Sequence, residues 1–337
     1  MNRRDFLIAA SSLTAAFARP ANSTEPLKEL RIGYQKIGAL LMVKEQKVLE
    51  QRFEPQGVRV RWIEFAFGPP LLEALGAGAI DYGYTGDSPP IFAQAAHANL
   101  LYAGAIPARG YGQAILVPAA SSIEGISGLK GKKIAVAKAS SAHNLLVAAL
   151  ESVGLPWRDI TPVYLAPPDA AAAFVRGAVD AWSIWDPFLA IAELKQKARA
   201  LPLDRSVSAQ NSFFLVNGDF AAKHPDVVAT INGAVATATT WADQHRDQVA
   251  AMNSAVLSAT TWADQHRDQV AAILAEASGV DLAAEQRSVN RAEFTFGPLD
   301  SGVLAQQQTV ADRFQKLGLI PAPIRVRDIV WPWKPNT

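Results

Sequence analysis

The stretch Lys138-Ala139-Ser140-Ser141-Ala142-His143-Asn144 joins a β-rich run to a helical one, and its residue types suit anion binding. A helix start presents about four N–H groups without intrahelical acceptors, together with a partial positive charge. Ser140 or Ser141 can cap that start, and a serine hydroxyl can also donate to an anion oxygen. By spacing alone, a plain Ser-capped turn is the commoner meaning of such a stretch. Tyr84-Thr85-Gly86-Asp87-Ser88-Pro89-Pro90 has the same character. Gly86 permits close backbone approach, Asp87 or Ser88 can cap, and Pro89 suits a first helical turn. Two such helix starts, one from each half of the chain, would clamp an anion by closing on it.

A third stretch is Asp180-Ala181-Trp182-Ser183-Ile184-Trp185-Asp186-Pro187. Strand alternation puts Trp182 and Ile184 on one face, Ser183 and Trp185 on the other. One tryptophan belongs to a core, and the other, at the strand end, is free to touch a ligand beside Asp186. Catalytic patterns are missing. The histidines are His97, His143, His224, His245 and His266, and none stands at metal-ligand spacing from another. No Gly-x-Ser-x-Gly, His-Glu-x-x-His or P-loop pattern occurs. Ser141 and His143 are too close in sequence to argue for a triad. The chain has no cysteine, which excludes a disulfide framework and thiolate metal sites. Its net charge of +1 points away from nucleic acid. No metal or other cofactor is expected.

The elements that must position these residues alternate. Strand-like runs fall at Leu30 to Tyr34, Val58 to Phe65, Ile80 to Thr85 and Leu100 to Ile106, with helical patterns between them. Gln113 to Val117 is extended, and a second cycle has strands at Lys132 to Lys138, Val163 to Leu165 and Ala181 to Trp185. Within that cycle, Gly154 closes the helix that starts at Ala142. Such alternation predicts an α/β fold with largely parallel sheets. The 337 residues, 50% of them hydrophobic, suffice for two cores. Breaks near 107–118 and 210–218 predict two lobes joined by two crossovers. Lobe I takes residues 28–112 and 218–337, and lobe II takes 113–217. A ligand would then sit between the lobes, at the carboxyl ends of the strands.

Residues 1–18 have the form of a signal peptide: Arg3 and Arg4, the apolar run Phe6 to Phe17, and Ala16-Phe17-Ala18 as a small-x-small cleavage site. Arg3-Arg4-Asp5-Phe6-Leu7 resembles the twin-arginine export signal. Removing this segment brings the net charge to zero, and residues 19–27 follow as a flexible leader. Near the other end, Ala238 to Ala251 recurs unchanged as Ala259 to Ala272. Two copies are too few for a repeat array, which needs at least ~3 units. The pattern is that of a recent tandem duplication or of a sequence error, on a helix surface and outside any ligand site.

Taken together, these residues resemble the periplasmic aliphatic-sulfonate-binding proteins of ABC importers, which are related to taurine- and nitrate-binding proteins. The resemblance rests on Leu30 to Lys36, Glu64-Phe65 with Gly68-Pro69, Leu72 to Leu75, Thr85-Gly86-Asp87 with Pro89 to Ala96, Ser140-Ser141, His143 to Leu146, and Val179 to Trp182 with Ile184 to Pro187. It covers about residues 28–335. It implies a type II periplasmic-binding fold, with two α/β lobes, each a mostly parallel sheet flanked by helices. It also implies a small organic anion, first of all an alkanesulfonate, held between the lobes of a monomer. That monomer would hand its ligand to an ABC permease with its cytoplasmic ATPase. By motif position the implied contacts are Gln35, Thr85, Gly86, Asp87, Ser140, Ser141, His143, Asn144, Trp182 and Asp186.

The chain departs from the family pattern at Ala139, where Gly is usual, at Ala142, where a third Ser is usual, and in the repeat. A sulfonate is a permanent monoanion with three acceptor oxygens, so neutral donors and helix dipoles can hold it without a buried Arg. Phe65, Phe67 and Trp182 are candidates to cover its alkyl part. Taurine, nitrate or a sulfate ester would suit the same fold. So would an enzyme of the thiamine-pyrimidine-synthase type, but that requires a cytosolic chain and a histidine cluster. N-terminal sequencing of the exported protein is expected to begin near Arg19. Recovery of the uncleaved chain from the cytosol would contradict export.

Overall fold

A computed structural model describes residues 26–35, 38–251 and 282–334. The proposed signal peptide, most of the leader and the second copy of the repeat lie outside the described residues.

The chain builds two five-stranded mixed sheets. The first begins with β1 (Glu29–Tyr34), β2 (Arg59–Glu64), β3 (Tyr82–Gly86) and β4 (Leu100–Ile106). Between these strands lie α1 (Ala39–Glu45), α2 (Val48–Phe53), α3 (Gly68–Gly76) and α4 (Ser88–Ala95). The second sheet takes β5 (Gln113–Val117), β6 (Lys133–Val136), β7 (Thr161–Tyr164), β8 (Ala181–Trp185) and the two-residue β9 (Arg199–Ala200). Its helices are α5 (Ser141–Ser152), α6 (Pro167–Val175) and α7 (Phe188–Lys195). The chain then returns as β10 (Ser212–Asn217) and continues with α8 (Gly218–Lys223), α9 (Pro225–Gln244), α10 (Leu282–Arg291) and α11 (Ser301–Lys316).

The strand orders are β2-β1-β3-β10-β4 and β7-β6-β8-β5-β9. In each sheet one strand runs against the others: β10 is antiparallel to β3 and β4, and β5 to β8 and β9. The expected two-lobed α/β fold is therefore present, with one correction. The sequence reading put residues up to 217 in the second lobe, but β10 lies inside the first sheet. Phe213, Phe214, Leu215 and Val216 are all fully buried there. A strand covered on both faces reads as a continuous apolar run, and such a run does not say which sheet it joins.

Each sheet is packed on both faces. Leu30, Ile32, Leu40 and Phe214 fill one side of the first sheet, and Leu71, Ile91, Tyr102 and Phe213 the other. In the second sheet, Ile134, Val136, Leu145 and Leu146 pack one face, and Trp182, Ile184 and Phe174 the other. Helix α5 ends as the sequence predicts. Gly154 takes φ +67°, its N–H reaches Glu151 O, and Leu155 N–H reaches Leu150 O at 2.9 Å, which closes the last carbonyls.

The first copy of the repeat is built into this core. Ala238, Ala242, Val249 and Ala250 are buried in the first lobe. The helix breaks at His245, whose ring Nδ1 lies 2.7 Å from Trp241 O, and helical structure resumes over 246–251. Because the two copies are identical, deleting residues 239–259 leaves one complete copy to occupy these positions. The deletion variant is expected to fold and to bind ligand as the full chain does, as read by thermal melting and calorimetry. A large affinity loss in a folded variant would tie the repeat to the site.

Candidate functional site

Between the lobes lies a cleft of about 180 Å3 lined by both polar and apolar groups. The carboxyl ends of β1, β3 and β8 and the starts of α4 and α5 reach it, as the open-sheet rule requires. Six of the ten residues proposed from sequence line it: Gln35, Thr85, Gly86, Ser140, Ser141 and Asp186.

The two helix starts nearly touch. A methyl group built on Gly86 would lie 1.8 Å from Ser141 Oγ, so only glycine lets β3 approach α5 this closely. Ser140 is the cap of α5. Its hydroxyl donates to Ala137 O at 2.7 Å and accepts from His143 N–H, and its carbonyl accepts from the N–H groups of His143 and Asn144. Of the N–H groups at residues 141–144 expected to hold an anion, those of His143 and Asn144 are therefore already used. Ser141 N–H, Ala142 N–H and the Ser141 hydroxyl have no hydrogen-bond partner among the described residues. The start of α4 is poorer in donors than the sequence suggested, because Pro89 and Pro90 carry none.

The cleft wall is fixed by neighbouring groups. Gln35 is buried, and its Nε2 donates to Tyr84 O at 3.0 Å. The Tyr84 hydroxyl donates to Ser212 Oγ at 3.0 Å. Asp186 accepts from Ala190 N–H at 3.0 Å and faces Arg291 Nη1 at 3.3 Å. Burial pushes the Asp186 carboxyl up to about 6, against the pull of Arg291. Arg291 also donates to Glu193 at 2.6 Å, while Arg287 reaches the same carboxylate at 3.1 Å. Burial works against the Arg291 charge, but Asp186 and Glu193 outweigh it and its pKa is raised. Val289 packs in the first lobe, so α10 carries its two arginines across the cleft to α7 of the second.

Four proposed contacts lie elsewhere. Trp182 is 1% exposed and packs between Phe174 and Phe188, whereas Trp185 lines the cleft. The alternation reading, which left the strand-end tryptophan free, agrees with this placement, whereas the contact that the resemblance implied at Trp182 does not line the cleft. His143 is buried among Phe92, Trp157, Tyr164 and Phe314, and burial lowers its pKa to about 4. Asp87 and Asn144 border a neighbouring cavity rather than the cleft. Phe65 packs beside Gly33, and neither it nor Phe67 lines the cleft; Trp185, Tyr111 and Ile106 supply its apolar wall. Arg291, Gln210 and Gln113 are cleft residues that the sequence reading missed. They stand in no motif.

Two α/β lobes with an anion-suited helix start in the cleft between them have the build of a solute-binding protein. The chain belongs to the NMT1-like family, whose profile matches residues 23–278. A protein of Escherichia coli (strain K12) named for binding aliphatic sulfonates is 38% identical over 320 residues, covering 94% of this chain and 92% of its own. Among solved structures, the alkanesulfonate-binding protein SsuA of Xanthomonas axonopodis pv. citri, bound to MOPS, is 38% identical with a TM-score of 0.78, covering 90% of this chain and 98% of its own. The periplasmic aliphatic sulphonate binding protein SsuA of Escherichia coli is 35% identical with a TM-score of 0.77, covering 92% and 94%. The resemblance drawn from the motifs is borne out.

Ala139, where the family pattern has glycine, sits at φ +60°. A side chain at that conformation costs about 1–2 kcal/mol, and glycine removes the cost. Ala139→Gly is expected to stabilise the protein by about 1 kcal/mol, roughly 1–2 °C in Tm for a chain of this length. An unchanged or lower melting temperature would show that the loop gains nothing from glycine there.

Proposed function

We propose that the protein captures an aliphatic sulfonate in the periplasm and delivers it to an ABC importer, closing its lobes around the ligand. The observation that carries this reading is the start of α5. Ser141 lines the interlobe cleft, and neither its N–H nor its hydroxyl has a protein acceptor among the described residues. A sulfonate oxygen supplies that acceptor, and the helix dipole favours its charge. Arg291 stands on the cleft wall as a guanidinium already tied to Asp186 and Glu193, which leaves the site without a free excess of positive charge. That balance suits a monoanion. Trp185, Tyr111 and Ile106 face the alkyl part. The names of the relatives support the same ligand class and, for the Escherichia coli structure, the same compartment. Arg3-Arg4 supports export by the twin-arginine route. Catalysis has no place in this reading, and the protein acts as a monomer beside its permease and ATPase.

Calorimetry against short alkanesulfonates, taurine, aromatic sulfonates, nitrate and sulfate esters tests the ligand class. Two variants test the site. Ser141→Ala removes one hydrogen bond to a charged group, and is expected to cost about 1.5–3 kcal/mol, or roughly 10- to 150-fold in affinity. Ser141→Asp places a second negative charge where the ligand's must sit, and is expected to abolish binding in a protein of normal melting temperature. Wild-type affinity in Ser141→Asp would remove this helix start from the site.

A further inference from the structure

Asp87, His143 and Asn144 belong to the motifs that carry the family resemblance, yet none of them lines the cleft. Asp87 and Asn144 meet each other across the lobes instead, and His143 packs beside them. Asn144 Nδ2, on α5 of the second lobe, donates to Asp87 Oδ2 at 2.8 Å, at the start of α4 in the first. Asn144 Oδ1 accepts from Arg313 Nη1 on α11 at 2.6 Å. Arg313 Nε returns to Glu151 on α5 at 2.8 Å. The first lobe also steadies Asp87, whose carbonyl accepts from Gln307 Nε2 at 2.6 Å. Next to this chain the His143 ring packs against Phe92 and Phe314 of the first lobe, with Trp157 and Tyr164 of its own lobe behind it.

The side-chain chemistry at position 144 is restrictive. An amide donates to a carboxylate on one side and accepts from a guanidinium on the other, which neither an acid nor an apolar residue can do. Asp87 and Asn144 are 2% and 1% exposed, so the loss of either partner would strand a buried polar group. A polar cavity of about 490 Å3 borders Asp87, Asn144 and Arg313 and is wide enough to hydrate them when the lobes part.

We propose that Asn144, with Asp87 and Arg313, forms an interlobe clasp that sets the population of the closed state, and so the affinity, without touching the ligand. The clasp rests on the reading of the cleft as an anion trap. A ligand that binds only the closed form has an apparent Kd raised in inverse proportion to the closed fraction. These three are positioning residues, and their motif places are explained by closure rather than by ligand contact.

The test uses Asn144→Asp, Asp87→Asn and the double variant. It combines small-angle scattering without ligand, calorimetry with ethanesulfonate and MOPS as probes, and thermal melting. Asn144→Asp sets a second carboxylate against Asp87. It is expected to enlarge the ligand-free radius of gyration and to weaken binding by about tenfold or more. The double variant restores the hydrogen bond with donor and acceptor exchanged, and is expected to recover both radius and affinity. If Asn144→Asp does not fold, Asn144→Ser removes the amide without adding charge and is expected to open the lobes in the same way. The clasp is overturned by a folded variant with unchanged radius, whether its affinity holds or falls, or by a double variant that recovers nothing. If wild-type protein binds no sulfonate, the functional reading fails, and the ligand-free scattering still decides the clasp.

Discussion

The free N–H groups at the start of α5 are the constraint on which the structure turns. A helix begins with donors that its own carbonyls cannot reach, and Ser140 satisfies only those of His143 and Asn144. The start of α5 reaches the cleft between the lobes, opposite a glycine that leaves room for Ser141. The sheets, the crossovers and the cap all serve that placement. The second sheet carries α5 to the cleft from one side, and β3 brings Gly86 to it from the other.

Charge in the cleft is arranged to stay balanced. Arg291 is answered by Asp186 and Glu193, and Arg109 lies 3.5 Å from Glu293. A site that met its ligand with an unpaired buried cation would pay heavily for the empty state. Neutral donors at a helix start avoid that cost, because they lose little when only water faces them. The same economy governs the seam beside the cleft, where Asp87, Asn144, Arg313 and Glu151 hold one another across the lobes. Burial raises the Asp87 carboxyl to about 6, opposed by Asn144, Ser88 and the charge of Arg313. A group so placed depends on the lobes being together.

Much of this was legible in the residues. The alternation of apolar runs with helical patterns predicts three strands with the bounds observed, Leu100–Ile106, Gln113–Val117 and Ala181–Trp185, because short apolar runs and flanking breakers are local signals. Ser140 as a cap and Gly154 as a stop are local in the same sense, since each acts within one helical turn. Glycine at 86 and serine at 141 could be singled out because one permits close backbone approach and the other adds a hydroxyl donor at a helix start.

The tertiary structure alone decided what those elements face. Trp182 and Trp185 differ in sequence context by very little, and only the packing of α6 and α7 shows that Trp182 is enclosed. His143 and Asn144 follow Ser141 on the same helix, but His143 stands about 200° round it and Asn144 nearly one turn, about 4.5 Å, further along it, so they leave the cleft for the interlobe seam. Arg291 comes from a helix far along the chain, and β10 joins a sheet begun nearly two hundred residues earlier. Sequence periodicity records that a face is buried. What it is buried against depends on contacts between segments distant in the chain, and no local pattern carries that information.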